Sequence, residues 1–122
     1  MVYSDFVRCA IQEDKRNVFG ENNVAYSMPE SMISFYRKYD PIDVEVTFPN
    51  IGAVRFCAAE ELTDLRDVYH LPSECFAFAT CNGDPIFLRE EKVFTSIPEV
   101  FRPELLAPSF DEFLNTYIYK KR

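Results

Sequence analysis

The sequence predicts an α+β domain: an antiparallel or mixed sheet of about five strands, flanked by N-terminal, internal and C-terminal helices. Three observations carry that reading. Leu71 to Leu88, LPSECFAFATCNGDPIFL, is a β-hairpin around Asn82-Gly83, two residues that tolerate the positive φ of a tight turn. A second run, Val44 to Phe56, alternates apolar and polar residues with the period of an extended chain. Apolar residues at helical spacing precede, separate and follow these runs. At 122 residues with no internal repeat or linker, the chain is read as one domain, residues 1–122.

Within the central hairpin, Phe76 and Phe78 fall on one side of the strand and Cys75, Ala77 and Ala79 on the other. Both sides are apolar, so both should be covered, and that requires helices over the sheet. Pro85 lacks an N–H and belongs at the turn edge of the returning strand Ile86-Phe87-Leu88.

Taken in order, Ser4 is placed to cap a first helix with stripe Tyr3, Val7, Ala10 and Ile11, ending near Lys15 or Arg16. Asn17 to Tyr26 is turn material. Ser27-Met28-Pro29-Glu30 forms a capping box before Met32, Phe35, Tyr36 and Tyr39, and Asp40-Pro41 stops that helix. Val44, Val46 and Phe48 face one way, as do Val54 and Phe56 beyond a turn at Pro49 to Gly52. Ala58, Leu62, Leu65 and Tyr69 resume helical spacing, with Glu60, Asp64 and Asp67 opposite. Val93-Phe94-Thr95 forms a further strand after a charged turn, and Ser96 to Pro108 is loop with a brief extended piece at Val100-Phe101. Ser109-Phe110-Asp111-Glu112 caps a last helix, whose stripe is Phe110, Phe113, Leu114, Tyr117 and Ile118.

Charge is the most informative compositional fact. The net −7 is concentrated in residues 40 to 75, where eight acids stand against Arg55 and Arg66. Such a field repels nucleic acid and anionic membrane and favours a basic partner. Neither a membrane-length apolar run nor a signal peptide is visible, so a cytoplasmic protein is expected. Cys9, Cys57, Cys75 and Cys81 show no CxxC spacing and are read as free thiols rather than metal or disulfide ligands.

Catalytic chemistry finds little support in the residues. His70, the one histidine, lies at a helix-to-strand junction with no Ser or Cys in a GxSxG context, and is read as a surface or capping residue. Three glycines leave no phosphate-cradling loop. Asn82-Gly83-Asp84 lacks the alternating oxygen ligands of a calcium loop. No cofactor or metal is expected. Glu60, Glu61, Asp64 and Asp67 could in principle act in acid-base chemistry, but on one helical face they read as a solvated or partner-facing surface.

The order of pieces resembles the SUKH superfamily over roughly residues 28 to 118. The resemblance rests on Pro29-Glu30 with Phe35-Tyr36-Arg37-Lys38-Tyr39, on Cys75-Phe76-Ala77-Phe78-Ala79 with Asn82-Gly83-Asp84 and Ile86-Phe87-Leu88, and on Val93-Phe94. Its most specific part is Leu106-Ala107-Pro108-Ser109-Phe110-Asp111-Glu112-Phe113-Leu114. Asp40-Pro41 stands where family members often have Asn-Gly, and Thr80-Cys81 where an acidic residue is usual. The resemblance implies an α+β domain. It also implies a non-catalytic role: in many bacterial members, immunity against a toxin domain, often a nuclease, and in others a regulatory or scaffolding module. Glu45, Glu60, Glu61, Asp64 and Asp67 are then the expected contacts to a basic protein partner.

Overall fold

The computed structural model describes residues 3–21 and 28–121. It contains α1 (Tyr3–Glu13), β1 (Val18–Gly20), α2 (Glu30–Lys38), β2 (Asp40–Phe48), β3 (Gly52–Phe56), α3 (Leu62–Val68), β4 (Phe76–Cys81), β5 (Asp84–Arg89), β6 (Lys92–Thr95), β7 (Glu104–Ala107) and α4 (Phe110–Lys121). A single 3-10 turn, Ala59–Glu61, leads into α3. The α+β class is as expected, but the sheet is larger than five strands and is not mixed. Among the described residues seven strands pair in chain order, every neighbour antiparallel.

The two additional strands are short and carry no alternating signal. β1 lies within the segment expected to be turn, and β7 lies within the expected loop. The extended piece of that loop is Glu104–Ala107 rather than Val100-Phe101, because β6 supplies the ladder partner there. Helix ends also shift. Ser4 lies inside α1 rather than capping it, and α1 stops at Glu13. Pro29 is the residue before α2, and Ser27 of the expected capping box lies outside the described residues. At α4 the expected cap is present, with the Glu112 N–H donating to Ser109 Oγ at 3.0 Å.

Asn82 (φ 53°) and Gly83 (φ 86°) make the β4–β5 turn with both central residues left-handed, the geometry that matches strand twist. The alternation expected in β4 breaks once. A bulge between Ala77 and Ala79 turns Ala79 to the same side as Phe78, so of the expected outward set Cys75, Ala77 and Ala79 only the first two face the other way.

One face of the sheet carries α1, α2 and α4 and the main core. Phe6, on α1, meets Phe35, Phe56 and Tyr117 edge-on, and Phe48 stacks on Phe113 at 4.6 Å. These rings are at most 2% exposed, which explains the Phe and Tyr content: edge-to-face and offset pairs fill a thick core between sheet and helices. The opposite, outer face has a smaller cluster, Cys75, Ala77 and Phe87, over which α3 places Leu65 and the chain after it Leu71.

Candidate interaction surface

The segment from Ala58 to Leu71 is fixed at both ends by backbone hydrogen bonds. At its start, Asp40 Oδ1 accepts the Ala59 N–H at 2.8 Å and Glu61 Oε1 accepts the Ala58 N–H at 3.1 Å. Two of the eight acids in the negative third are thus occupied as acceptors, and Asp40 is buried. At its end, the Leu71 N–H donates to the Arg66 carbonyl at 2.9 Å and the His70 N–H to the Asp67 carbonyl at 3.2 Å. His70 sits between them at φ 53°, the left-handed position that closes a Schellman motif. Leu71 and Leu65 pack on the same small cluster and supply its usual hydrophobic contact.

Held in this way, the segment presents Glu60, Asp64 and Asp67 on one exposed side, at spacing i, i+4 and i+7. None forms an ion pair among the described residues. Glu60 and Asp64 lie near the start of the helical segment, where the dipole favours an anion. Asp67 lies in the last turn, where it does not. Like charges at these spacings cost about 0.2–0.5 kcal/mol per pair, which offsets part of the dipole's favour for Glu60 and Asp64.

Glu45 and Glu61 have different surroundings. Glu45 stands directly across the ladder from Arg55, and Arg55 Nη2 lies 3.8 Å from Glu61 Oε1. On its other side, Glu45 joins Glu13, Asp14 and Asp43 around Arg16 in a groove of about 320 Å³. Hydrogen bonds from Arg16 hold the Asp14 carboxyl down at about 2, and Asp14, then Asp43 and Glu45, push the Arg16 guanidinium up. Glu45 is therefore flanked by two arginines. Of the five expected contacts, the structure leaves three uncompensated and on one helix face. The carboxylates around Arg16 escaped sequence reading because Glu13 and Asp14 lie far from Asp43 and Glu45 in the chain.

Cys57 and Cys75 are buried, and Cys9 and Cys81 are partly buried. Burial pushes Cys57 up to about 11 and raises Cys75 and Cys81 as well, so all three are thiols, not thiolates, at neutral pH. The described residues contain no group of three or more His, Cys, Asp or Glu able to hold a metal ion. A groove of about 370 Å³ beside α3 is lined by Met28, Pro29, Leu62, Thr63, Arg66, Cys75, Phe76 and Ala77, with one cation and no carboxylate. Among the described residues no helix is long and apolar enough to cross a membrane. Set against known proteins, the chain matches no family model and no curated protein.

Proposed function

We propose that this protein is a non-catalytic immunity protein of the cytoplasm that binds and neutralises a polymorphic toxin domain, such as a nuclease, through its acidic surface. The supporting observation is the row Glu60, Asp64 and Asp67: exposed, uncompensated, and set on a segment whose two ends are pinned. A nuclease presents a basic groove to its substrate. Carboxylates held in a preformed row would speed its encounter and orient docking, while apolar anchors would supply most of the affinity. The resemblance of residues 28 to 118 to the SUKH superfamily supports the same reading. A regulatory or scaffolding module without a toxin partner is the other form it allows, and gene context separates the two.

The test is co-purification with the product of the adjacent gene and co-expression with it in growing cells. Protection from toxicity is expected, with an association rate that falls steeply as salt rises. Reversing Glu60, Asp64 and Asp67 to Lys should slow association about tenfold or more and flatten that salt dependence. An unchanged rate and salt slope remove this row from the interface.

A further inference from the structure

Beyond α3, the outer face of the sheet carries an aromatic platform. Phe87 is fully buried at its base. Phe94 stacks against Phe87 across the ladder at 6.0 Å and Phe101 at 5.9 Å, their planes within 21° and 28° of its own. The Arg89 guanidinium lies over both upper rings, 4.8 Å from the Phe94 centroid and 5.9 Å from that of Phe101. Leu105, paired with Phe94 on the edge strand β7, shares the face. Leu105 is 56% exposed and Phe101 41% exposed, although both lie against a packed base.

Aromatic rings and arginine are residue types enriched at protein interfaces, and the open leucine beside them extends the apolar face. The platform is also continuous with the helix. Leu65, Leu71 and Phe94 pack on the same Cys75–Ala77–Phe87 cluster. Charge along this continuous surface is uneven. At the platform Arg89 and Lys92 offset Glu90 and Glu91, whereas the helix side carries Glu60, Asp64, Asp67 and Glu74 against Arg66.

We propose that this platform is the anchoring half of the binding surface, and that its occupant is a basic protein whose apolar or aromatic side chain seats between Phe101 and Leu105 while flanking Lys or Arg residues meet the α3 carboxylates. The proposal rests on the acidic-surface reading above and adds the contact that retains the partner. A second copy of this chain is disfavoured here, because two molecules of net charge −7 repel one another.

The probe is a displayed library of random twelve-residue peptides, selected on the full chain. Enriched peptides should combine an aromatic residue or Leu with two or more Lys or Arg. Binding of the best of them should weaken about tenfold or more in Phe101→Ser/Leu105→Ser, with its salt slope kept. Leu105→Ser alone, at a half-exposed edge position, guards against loss of fold and should still weaken binding. Glu60, Asp64 and Asp67 reversed to Lys should instead flatten the salt slope. Basic peptides indifferent to both serine variants would overturn the platform and leave the acidic-surface reading standing. Apolar peptides without basic residues, or with no salt dependence, would overturn the proposed occupant and count against the acidic reading as well. A concentration-dependent dimer abolished by Leu105→Ser would assign the face to self-association and overturn the proposal.

Discussion

The side-chain oxygen of Asn17 accepts the main-chain N–H of Glu45 at 2.9 Å, and it does so where the sheet has no strand to offer. β1 pairs with β2 only as far as Asp43. Beyond that, β2 is an edge, and its donors are met by side chains: Asn17 Oδ1 at Glu45 and Glu13 Oε2 at Thr47, 2.9 Å away. Asn17 is buried and also donates from Nδ2 to the Ala10 carbonyl at 2.8 Å, so one side chain closes the end of α1 and blunts the sheet edge. Asn17→Ala leaves the Glu45 N–H without its acceptor, while the Ala10 carbonyl keeps the Asp14 N–H at 3.2 Å, so the cost is about 1–3 kcal/mol for one unsatisfied group. The urea midpoint should fall accordingly at unchanged m. A shift below about 0.5 kcal/mol would show that water satisfies this edge and that Asn17 is not its cap.

His70 holds a left-handed backbone position that glycine occupies without steric cost. His70→Gly should therefore stabilise the protein by about 0.5–1 kcal/mol, after the added freedom of glycine in the unfolded chain is allowed for. Partner binding should be unaffected. Chemical denaturation and a binding titration check both, and a loss of function with a gain of stability would reveal a role for the imidazole beyond the cap.

The β5–β6 turn places Glu90 (φ 51°) and Glu91 (φ 65°) at its two central positions, both left-handed and both negatively charged. The β4–β5 turn solves the same geometry with Asn82-Gly83. Replacing Glu90-Glu91 with Asn-Gly should stabilise by about 1–2 kcal/mol, since each left-handed non-glycine residue costs on the order of 1 kcal/mol. Thermal melts of the paired variant decide it, and no increase in midpoint would mean that the glutamates are compensated by contacts with their neighbours.

The contrast between these turns shows what sequence pattern can convey. Asn82-Gly83 announces its turn through residue chemistry, whereas Glu90-Glu91 is imposed by β5 and β6 pairing on either side. The core was legible for the same reason: Met32, Phe35 and Tyr36, or Phe110, Phe113, Leu114 and Tyr117, repeat at helical spacing and are all buried. β1 and β7 were not, because three or four residues next to Gly20 or Pro103 gain a ladder only from partners elsewhere in the chain. At the surface, sequence pattern located Glu60, Asp64 and Asp67 correctly on an exposed helix side, yet charge counting treated Asp40 and Glu61 as equivalent to them. Their engagement with the Ala59 and Ala58 N–H groups depends on three-dimensional approach. The Phe87–Phe94–Phe101 stack was equally hidden, since its members come from two strands and a loop.

The two terminal helices are tied together by tyrosines whose protons stability depends on. The Tyr3 hydroxyl donates to Asp111 Oδ1 at 2.7 Å, and the Tyr117 hydroxyl lies 3.0 Å from Glu13 Oε1 and 3.1 Å from the Cys9 carbonyl. Burial, then the hydrogen bond and charge of Asp111, pushes Tyr3 from 10.0 up to about 12. Burial and Glu13 raise Tyr117, and burial raises Tyr36. A phenol whose pKa is higher folded than unfolded holds its proton more tightly in the native state. Its contribution is therefore complete below about pH 10 and is lost as pH climbs through about 12. Denaturant midpoints measured from pH 8 to 12 should begin to decline near 9, where the unfolded-state thiols of Cys57, Cys75 and Cys81 start to ionise, and fall further above about 10 as the tyrosines follow. Tyr3→Phe should lower the midpoint at pH 8 and make the decline between 10 and 12 shallower, because the variant has no proton to lose at that position. If wild type and Tyr3→Phe fall in parallel across that window, the Tyr3–Asp111 bond does not couple the first helix to the last, and the alkaline loss belongs to the remaining tyrosines and thiols.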